Sequence, residues 1–313
     1  MDKKLFFVFN PHSGKALIRN KLLDIVDVFV KGGYRVITHP TQDKKDATKQ
    51  VEEAAKWADL VVCCGGDGTM DEALNGLMHS EREIPIGYIP AGSTNDFASS
   101  LQISKDMVEA ARQIVDGEVR RVDVGTFNEQ YFVYVAAFGV FTEVSYATDQ
   151  QLKNSMGYLA YLMQGAKEIF DIKSYHMVFT SDDGRYEGDY IYGMITNSVS
   201  VGGMKNLTGK NVEMDDGYFE VTLIHAPKNP LELAEIVGCL MSQEDTTDLI
   251  DTFKTRRLEV VSEELVSWTL DGEFGGAHMH LTVENHKKAL PIILSPYKEK
   301  EIPLLGEGGQ MSE

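Results

Sequence analysis

A chain of 313 residues that is 43% hydrophobic and 25% charged has the composition of a folded globular protein, long enough for two separate cores. Its formal net charge of −18 disfavours nucleic acid, whose phosphates a partner must neutralise, and disfavours polybasic attachment to anionic lipid. No apolar stretch approaches the ~20 residues that span a bilayer, and the first apolar run is too short for a signal peptide, so a cytoplasmic location is expected.

Strand-like apolar runs at residues 5–9, 34–38, 60–64 and 86–89 alternate with helical periodicity over 16–30, 46–57 and 70–79. This alternation predicts a doubly wound α/β domain, a parallel sheet covered on both faces. Right-handed crossovers then bring every strand-to-helix loop to one sheet edge, where ligands bind in such folds. Residues 10–14, Thr41, 65–69 and 90–96 all fall in those loops.

The run Gly65-Gly66-Asp67-Gly68-Thr69 carries the most chemistry. Three glycines let backbone N–H groups approach an anion, and the helix start adds partial positive charge. Asp67 would repel a bare phosphate, so a divalent cation bridging the two is inferred. Alone, the segment also fits a simple tight turn. Thr69 with Glu72 reads as a capping box. Asn10-Pro11-His12-Ser13-Gly14-Lys15 reads alone as a turn, in which Lys15 could offset phosphate charge. In Pro90-Ala91-Gly92-Ser93-Thr94-Asn95-Asp96-Phe97-Ala98, the hydroxyls and amide suit either phosphate oxygens or a helix cap.

After about Gly125 the chain becomes rich in β-branched and aromatic residues, with strands expected at 131–138, 175–179, 190–196, 219–224 and 258–261. Helical patterns interrupt at 156–170 and 231–241; the second is apolar almost all round and is expected to be well covered. A mostly antiparallel β domain follows, with a boundary near 126 and a tail that frays from Lys298. The domains are therefore set at 1–126, joined by a C-terminal segment at about 293–313, and at 127–292.

Acidic groups punctuate this half. Asp123, in Arg121-Val122-Asp123-Val124-Gly125, would need a partner if buried. Glu213-Met214-Asp215-Asp216-Gly217-Tyr218 is a turn that could hold Mg²⁺ or Ca²⁺, or simply face solvent. Asp271-Gly272-Glu273 could form a hairpin or supply a general base. Cys63, Cys64 and Cys239 show neither a disulfide framework nor a zinc spacing, and reduced core thiols are expected. His39, His79 and His176 lack ligand spacing, and Lys254, Arg256 and Arg257 read as a solvated face.

Taken in order, Asn-Pro-x-Ser-Gly, Gly-Gly-Asp-Gly-Thr, Gly-Ser-x-Asn-Asp-Phe-Ala, Arg-Val-Asp-Val-Gly, Asp-Asp-Gly and Asp-Gly-Glu resemble the diacylglycerol-kinase-type lipid kinases, particularly their soluble bacterial branch. The resemblance implies an N-terminal Rossmann-like α/β nucleotide domain, shared with NAD kinases, and a C-terminal β-sandwich. It implies an ATP-dependent lipid kinase, with diacylglycerol converted to phosphatidic acid as the first choice. Asn10, Pro11, His12, Ser13, Gly14, Thr41, Gly65, Gly66, Asp67, Gly68, Thr69 and Ser93 would contact ATP. Asp67 would serve a catalytic Mg²⁺ within a polar network of Asn95, Asp96, Asp123 and Asp271, and Glu273 would be the general base. Glu213 and Tyr218, through carbonyls, and Asp216, through its carboxylate, would hold a structural Mg²⁺.

Phe274 stands where the family usually has proline, and Ser99 where it usually has arginine. Both lie near the inferred acceptor site and leave the lipid open: phosphatidylglycerol, a sphingoid base and monoacylglycerol are alternatives. An NAD or sugar kinase and a non-catalytic nucleotide- or lipid-binding regulator are the competing readings. The partners implied are ATP and a membrane lipid met by transient peripheral contact, with a homodimer left open.

Overall fold

The computed structural model describes residues 3–140, 172–198, 212–242 and 247–296. The helix expected over 156–170, the fraying tail from Lys298 and most of the 293–313 segment lie outside the described residues.

The N-terminal half builds a parallel sheet in the order β2-β1-β3-β4 from β1 (Lys3–Phe9), β2 (Tyr34–Pro40), β3 (Leu60–Gly65) and β4 (Ile86–Pro90). Alternation along each strand sends side chains to opposite faces. Phe6, Val8, Val61 and Cys63 pack with residues of α2 (Asp46–Ala55) and α3 (Asp67–Met78). Leu5, Phe7, Phe9, Val62 and Cys64 pack with α1 (Ile18–Lys31) and α5 (Met107–Asp116), beyond the short α4 (Asp96–Ser100). Burying both faces is why these strands are uniformly apolar. Cys63 and Cys64 are free, and burial pushes both thiols up, Cys64 to about 12.

The helix starts depart from expectation. α3 begins at Asp67 with Gly66 at its N-cap and no side-chain cap, so Thr69 and Glu72 form no capping box. Glu72 instead accepts from the Lys45 and Ala47 N–H groups at 2.7 and 3.3 Å, capping the neighbouring α2. The reason is geometric: α2 has Lys45 at its N-cap, in a left-handed conformation with no side-chain cap of its own, and it lies against α3. A further helix, α5, lies outside the predicted patterns; Asp106 caps it through the Val108 and Glu109 N–H groups.

The second half comprises β5 (Glu118–Phe127), β6 (Gln130–Phe132), β7 (Val135–Gly139), β8 (Tyr175–Ser181), β9 (Arg185–Thr196), β10 (Phe219–His225), β11 (Ile250–Thr255), β12 (Arg257–Leu270) and β13 (Glu273–Leu294). Its pairs are antiparallel throughout. Aromatic rings fill its core, with Phe138 and Phe127 centred 4.8 and 5.3 Å from Trp268. α6 (Pro230–Met241) buries Leu233, Ile236, Val237 and Leu240. Contrary to the cover expected on all sides, Leu231 on its other face is 81% exposed.

β13 couples the halves. It begins beside β12, runs antiparallel to β5, and ends with Ile292 paired in parallel to Ile86 of β4. Because β13 lies between β12 and β4 in one continuous sheet, its start is fixed relative to the loops after β1 and β3. Among the described residues, no helix is long and apolar enough to cross a membrane.

Candidate active site

The loops that follow β1, β2, β3 and β4 meet at one sheet edge and hold one another. Asn10 Oδ1 accepts from the His12 N–H at 2.9 Å, and Ser13 Oγ accepts from the Gly66 N–H at 3.1 Å. Gly14 has φ +54, and a Cβ there would lie 2.4 Å from the Ala91 carbonyl oxygen. Likewise a Cβ on Gly92 would lie 2.6 Å from the Gly66 Cα, so backbone meets backbone between the third and fourth loops. Only glycine permits that approach.

A cleft of about 1070 Å³ opens over this edge. Asn10, His12, Ser13, Gly14, Thr41, Gly66, Gly68 and Thr69 line it, together with Glu273 and Phe274 from the start of β13. Pro11, Gly65, Asp67 and Ser93 are not among its lining residues, nor is Lys15, whereas Gly92 is. Glu273 faces the glycine bend: a Cβ on Gly68 would sit 3.3 Å from Glu273 Oε1.

Asp271 and Gly272 both have positive φ, +50 and +85, and Leu270 pairs with Glu273, which makes a two-residue hairpin turn of the Asp-Gly kind. Asp271 is buried. Its Oδ2 accepts from the Val133 N–H at 2.6 Å, and its Oδ1 from Tyr134 and Val135 at 3.0 and 2.9 Å. It thus ties the hairpin carrying Glu273 to β7. Burial is the main force pushing its pKa up to about 7, against the pull of those three N–H groups.

Asp67 turns away from open solvent toward the start of α4, where its Oδ2 accepts from the Asp96 N–H at 3.3 Å. Its Oδ1 is buried with no partner. Burial, then the neighbouring charge of Asp96, raises Asp67 to about 6. Asn95 closes its own turn, with Oδ1 accepting from Gly92 N–H and Nδ2 donating to the Gly92 carbonyl, each at 2.9 Å. The orphaned carboxylate oxygen is a seat that a hard cation would satisfy, so the residues present fit Mg²⁺.

Asp71, which the sequence reading passed over, also lines the cleft and is buried. It accepts from Asn75 Nδ2 at 3.1 Å, and burial, then the charge of Asp271, push it well above the usual carboxylate range. The signal for it was spacing: positions 67, 71 and 75 fall on one helical face. His79 joins the same cleft, its Nδ1 2.6 Å from the Asn75 carbonyl oxygen.

Asp123 lies apart from this cleft. Fully buried, it accepts from Gly217 N–H at 2.6 Å and Lys288 N–H at 2.7 Å, so it organises the acidic turn rather than the glycine bend. In that turn Asp216 Oδ1 accepts from the Tyr218 N–H at 2.8 Å, and its Oδ2 pairs with Lys254 at 3.1 Å. Lys254 also meets the buried Glu220 at 2.9 Å, and Arg256 donates to the Tyr218 hydroxyl at 2.6 Å. Lys254, Arg256 and Arg257 are all exposed, the solvated face expected for them, and the first two also contact this turn. Glu213 is exposed at its edge. Both Asp216 oxygens are therefore already engaged, and a cation at this turn would have to displace Lys254.

The raised pKa of Asp67 has a testable sign. Its folded value, about 6, exceeds the ordinary 3.8, so the folded state binds more protons between those pH values. In the presence of a chelator, the stability it contributes is complete below pH about 4 and is lost as pH rises through about 6. Asp71, Asp271 and Glu220 slope the same way, so the informative quantity is the difference between variant and parent. Urea unfolding of Asp67→Asn should show a gain of about 1–3 kcal/mol at pH 7 that vanishes at pH 4.

An α/β half whose loops converge on a glycine-rich bend is joined to a β half that presents a carboxylate to that bend. The diacylglycerol kinase catalytic domain family matches residues 4–127. A diacylglycerol kinase of Bacillus subtilis (strain 168) is 31% identical over 299 residues, covering 91% of this chain and 98% of the relative. One of Staphylococcus aureus (strain Newman) is 31% identical over 278 residues, covering 88% of each. A solved structure of a diacylglycerol kinase from Bacillus anthracis str. Sterne, 24% identical, superposes with a TM-score of 0.76 over 94% of this chain and 97% of that one, and speaks to the fold alone. The chain belongs to the diacylglycerol kinase family.

Proposed function

We propose that this protein is an ATP- and Mg²⁺-dependent lipid kinase that moves the γ-phosphoryl group onto a lipid hydroxyl, with diacylglycerol the preferred acceptor and phosphatidic acid the product. The observation that carries the reading is the meeting of the Gly66–Gly68 backbone with Glu273 across one cleft. Phosphoryl transfer asks mainly for positioning and charge neutralisation. The N–H groups of the bend and the hydroxyls of Ser13, Thr41 and Thr69 would orient the phosphates. Asp67 would hold the catalytic Mg²⁺, which supplies neutralisation of charge on the phosphate oxygens. Glu273 would accept the hydroxyl proton as the lipid oxygen bonds to phosphorus and the bond to the ADP oxygen breaks. The Glu213 and Tyr218 carbonyls and the Asp216 carboxylate would hold the structural Mg²⁺.

Phe274, 57% exposed beside Glu273, offers an apolar contact at the cleft mouth and supports transient peripheral binding to a lipid surface. The test is radiolabelled ATP supplied with micelles of diacylglycerol, monoacylglycerol, phosphatidylglycerol or sphingosine, and separately with NAD. Label in phosphatidic acid is expected. Label in NADP, or none in any lipid, would overturn the reading.

A further inference from the structure

Under the kinase reading, turnover depends on how far Glu273 stands from the glycine bend, and both sides of that gap are anchored. One side is α3, which begins in the bend. Its neighbour α2 presses closely on it: a Cβ on Gly76 would lie 2.5 Å from the Thr48 carbonyl oxygen, and Thr48 Oγ1 donates to the Glu72 carbonyl at 3.0 Å. The other side is the turn at Asp271 and Gly272, which Asp271 fastens to the N–H groups of Val133, Tyr134 and Val135.

Asn75 joins the two sides. β6 pairs with β5 along one edge and, among the described residues, with no strand along the other. Asn75 occupies that open edge. Its Oδ1 accepts from the Tyr131 N–H and its Nδ2 donates to the Tyr131 carbonyl, each at 3.3 Å. The same Nδ2 lies 2.9 Å from the Asp71 carbonyl oxygen and 3.1 Å from Asp71 Oδ1. An amide side chain thus stands in for a strand's peptide group, supplying a donor and an acceptor together. Tyr131 is two residues from Val133, where the hold of Asp271 begins. So short a backbone segment has little slack, and a shift of β6 passes on to the turn that carries Glu273. Ile292, where β13 meets β4, lies far along its strand from Glu273, whereas Asn75 ties the halves at the cleft itself.

We propose that Asn75 is a positioning residue for phosphoryl transfer, an amide rung that ties α3 to β6 and so holds Glu273 at its working distance from the glycine bend. The test is initial-rate kinetics of the full chain with radiolabelled ATP and diacylglycerol micelles. Asn75→Leu removes donor and acceptor at nearly constant size; kcat falls about 30-fold while KM for Mg·ATP stays within about twofold. Asn75→Ala, which cannot overpack the site, gives the same split. In a Glu273→Gln background, where the base is already lost, either change costs less than about threefold. Rates are measured below the thermal unfolding of each variant, so loss of fold is excluded as the cause. Turnover within about threefold of the parent, a KM that rises in step with the loss, or an equal loss in the Glu273→Gln background would overturn the proposal. If the parent protein itself labels no lipid, the kinase reading falls, and this proposal with it.

Discussion

A Glu273→Gln protein transfers phosphate to lipid at least about 100-fold more slowly than the parent while binding Mg·ATP at least as tightly. The amide keeps the size and shape of the side chain but cannot accept the hydroxyl proton. Because the side chain is 54% exposed, its neutralisation leaves no buried group unpaired, and stability should stay within about 0.5 kcal/mol. Initial-rate kinetics with diacylglycerol micelles, paired with calorimetry of Mg·ATP, separate chemistry from binding. Near-parental turnover would remove Glu273 from the role of base. Loss of nucleotide affinity would instead mean that it shapes the phosphate site.

Asp271→Ala is expected to cost about 2–4 kcal/mol of stability and most of the activity together. The carboxylate accepts from three consecutive N–H groups, at Val133, Tyr134 and Val135, in a place closed to water. Alanine leaves all three donors buried and unsatisfied. It also removes the residue whose φ of +50 the turn requires, a conformation that aspartate tolerates better than alanine. Relief of the repulsion with Asp71 recovers part of that cost. Asp271→Asn should fall between the two, since an amide offers one acceptor oxygen where the carboxylate offers two. Urea unfolding of the three proteins gives the order. An alanine variant as stable as the parent would show that the turn needs no anchor.

Asp271 illustrates how far reading by residue type could go. As an Asp-Gly pair after an apolar strand it announced a hairpin, and in the structure the hairpin and the site are one object, because the turn that Asp271 secures is what carries Glu273. Asp67 shows the opposite. Its place among three glycines suggested a metal, but its orphaned oxygen and its contact with the start of α4 depend on Asp96, which belongs to another loop. The Glu72 carboxylate likewise had a local role available, capping its own helix, and took a distant one on α2. Local patterns enumerate the bonds a polar side chain can make. Which bond forms depends on what packing brings near.

Strand and helix alternation up to Pro90, the glycine loops, the aromatic character of the second half and the order of the motifs follow from chain periodicity and turn chemistry, which act over a few residues and need no partner. The meeting of Gly68 with Glu273, the pairing of Lys44 across the cleft, the removal of Asp123 to the acidic turn and the double membership of β13 belong to the folded molecule alone. These contacts join residues far apart in the chain. Burial of two cores and the long strand they share set the distances between them, and no local pattern encodes that arrangement.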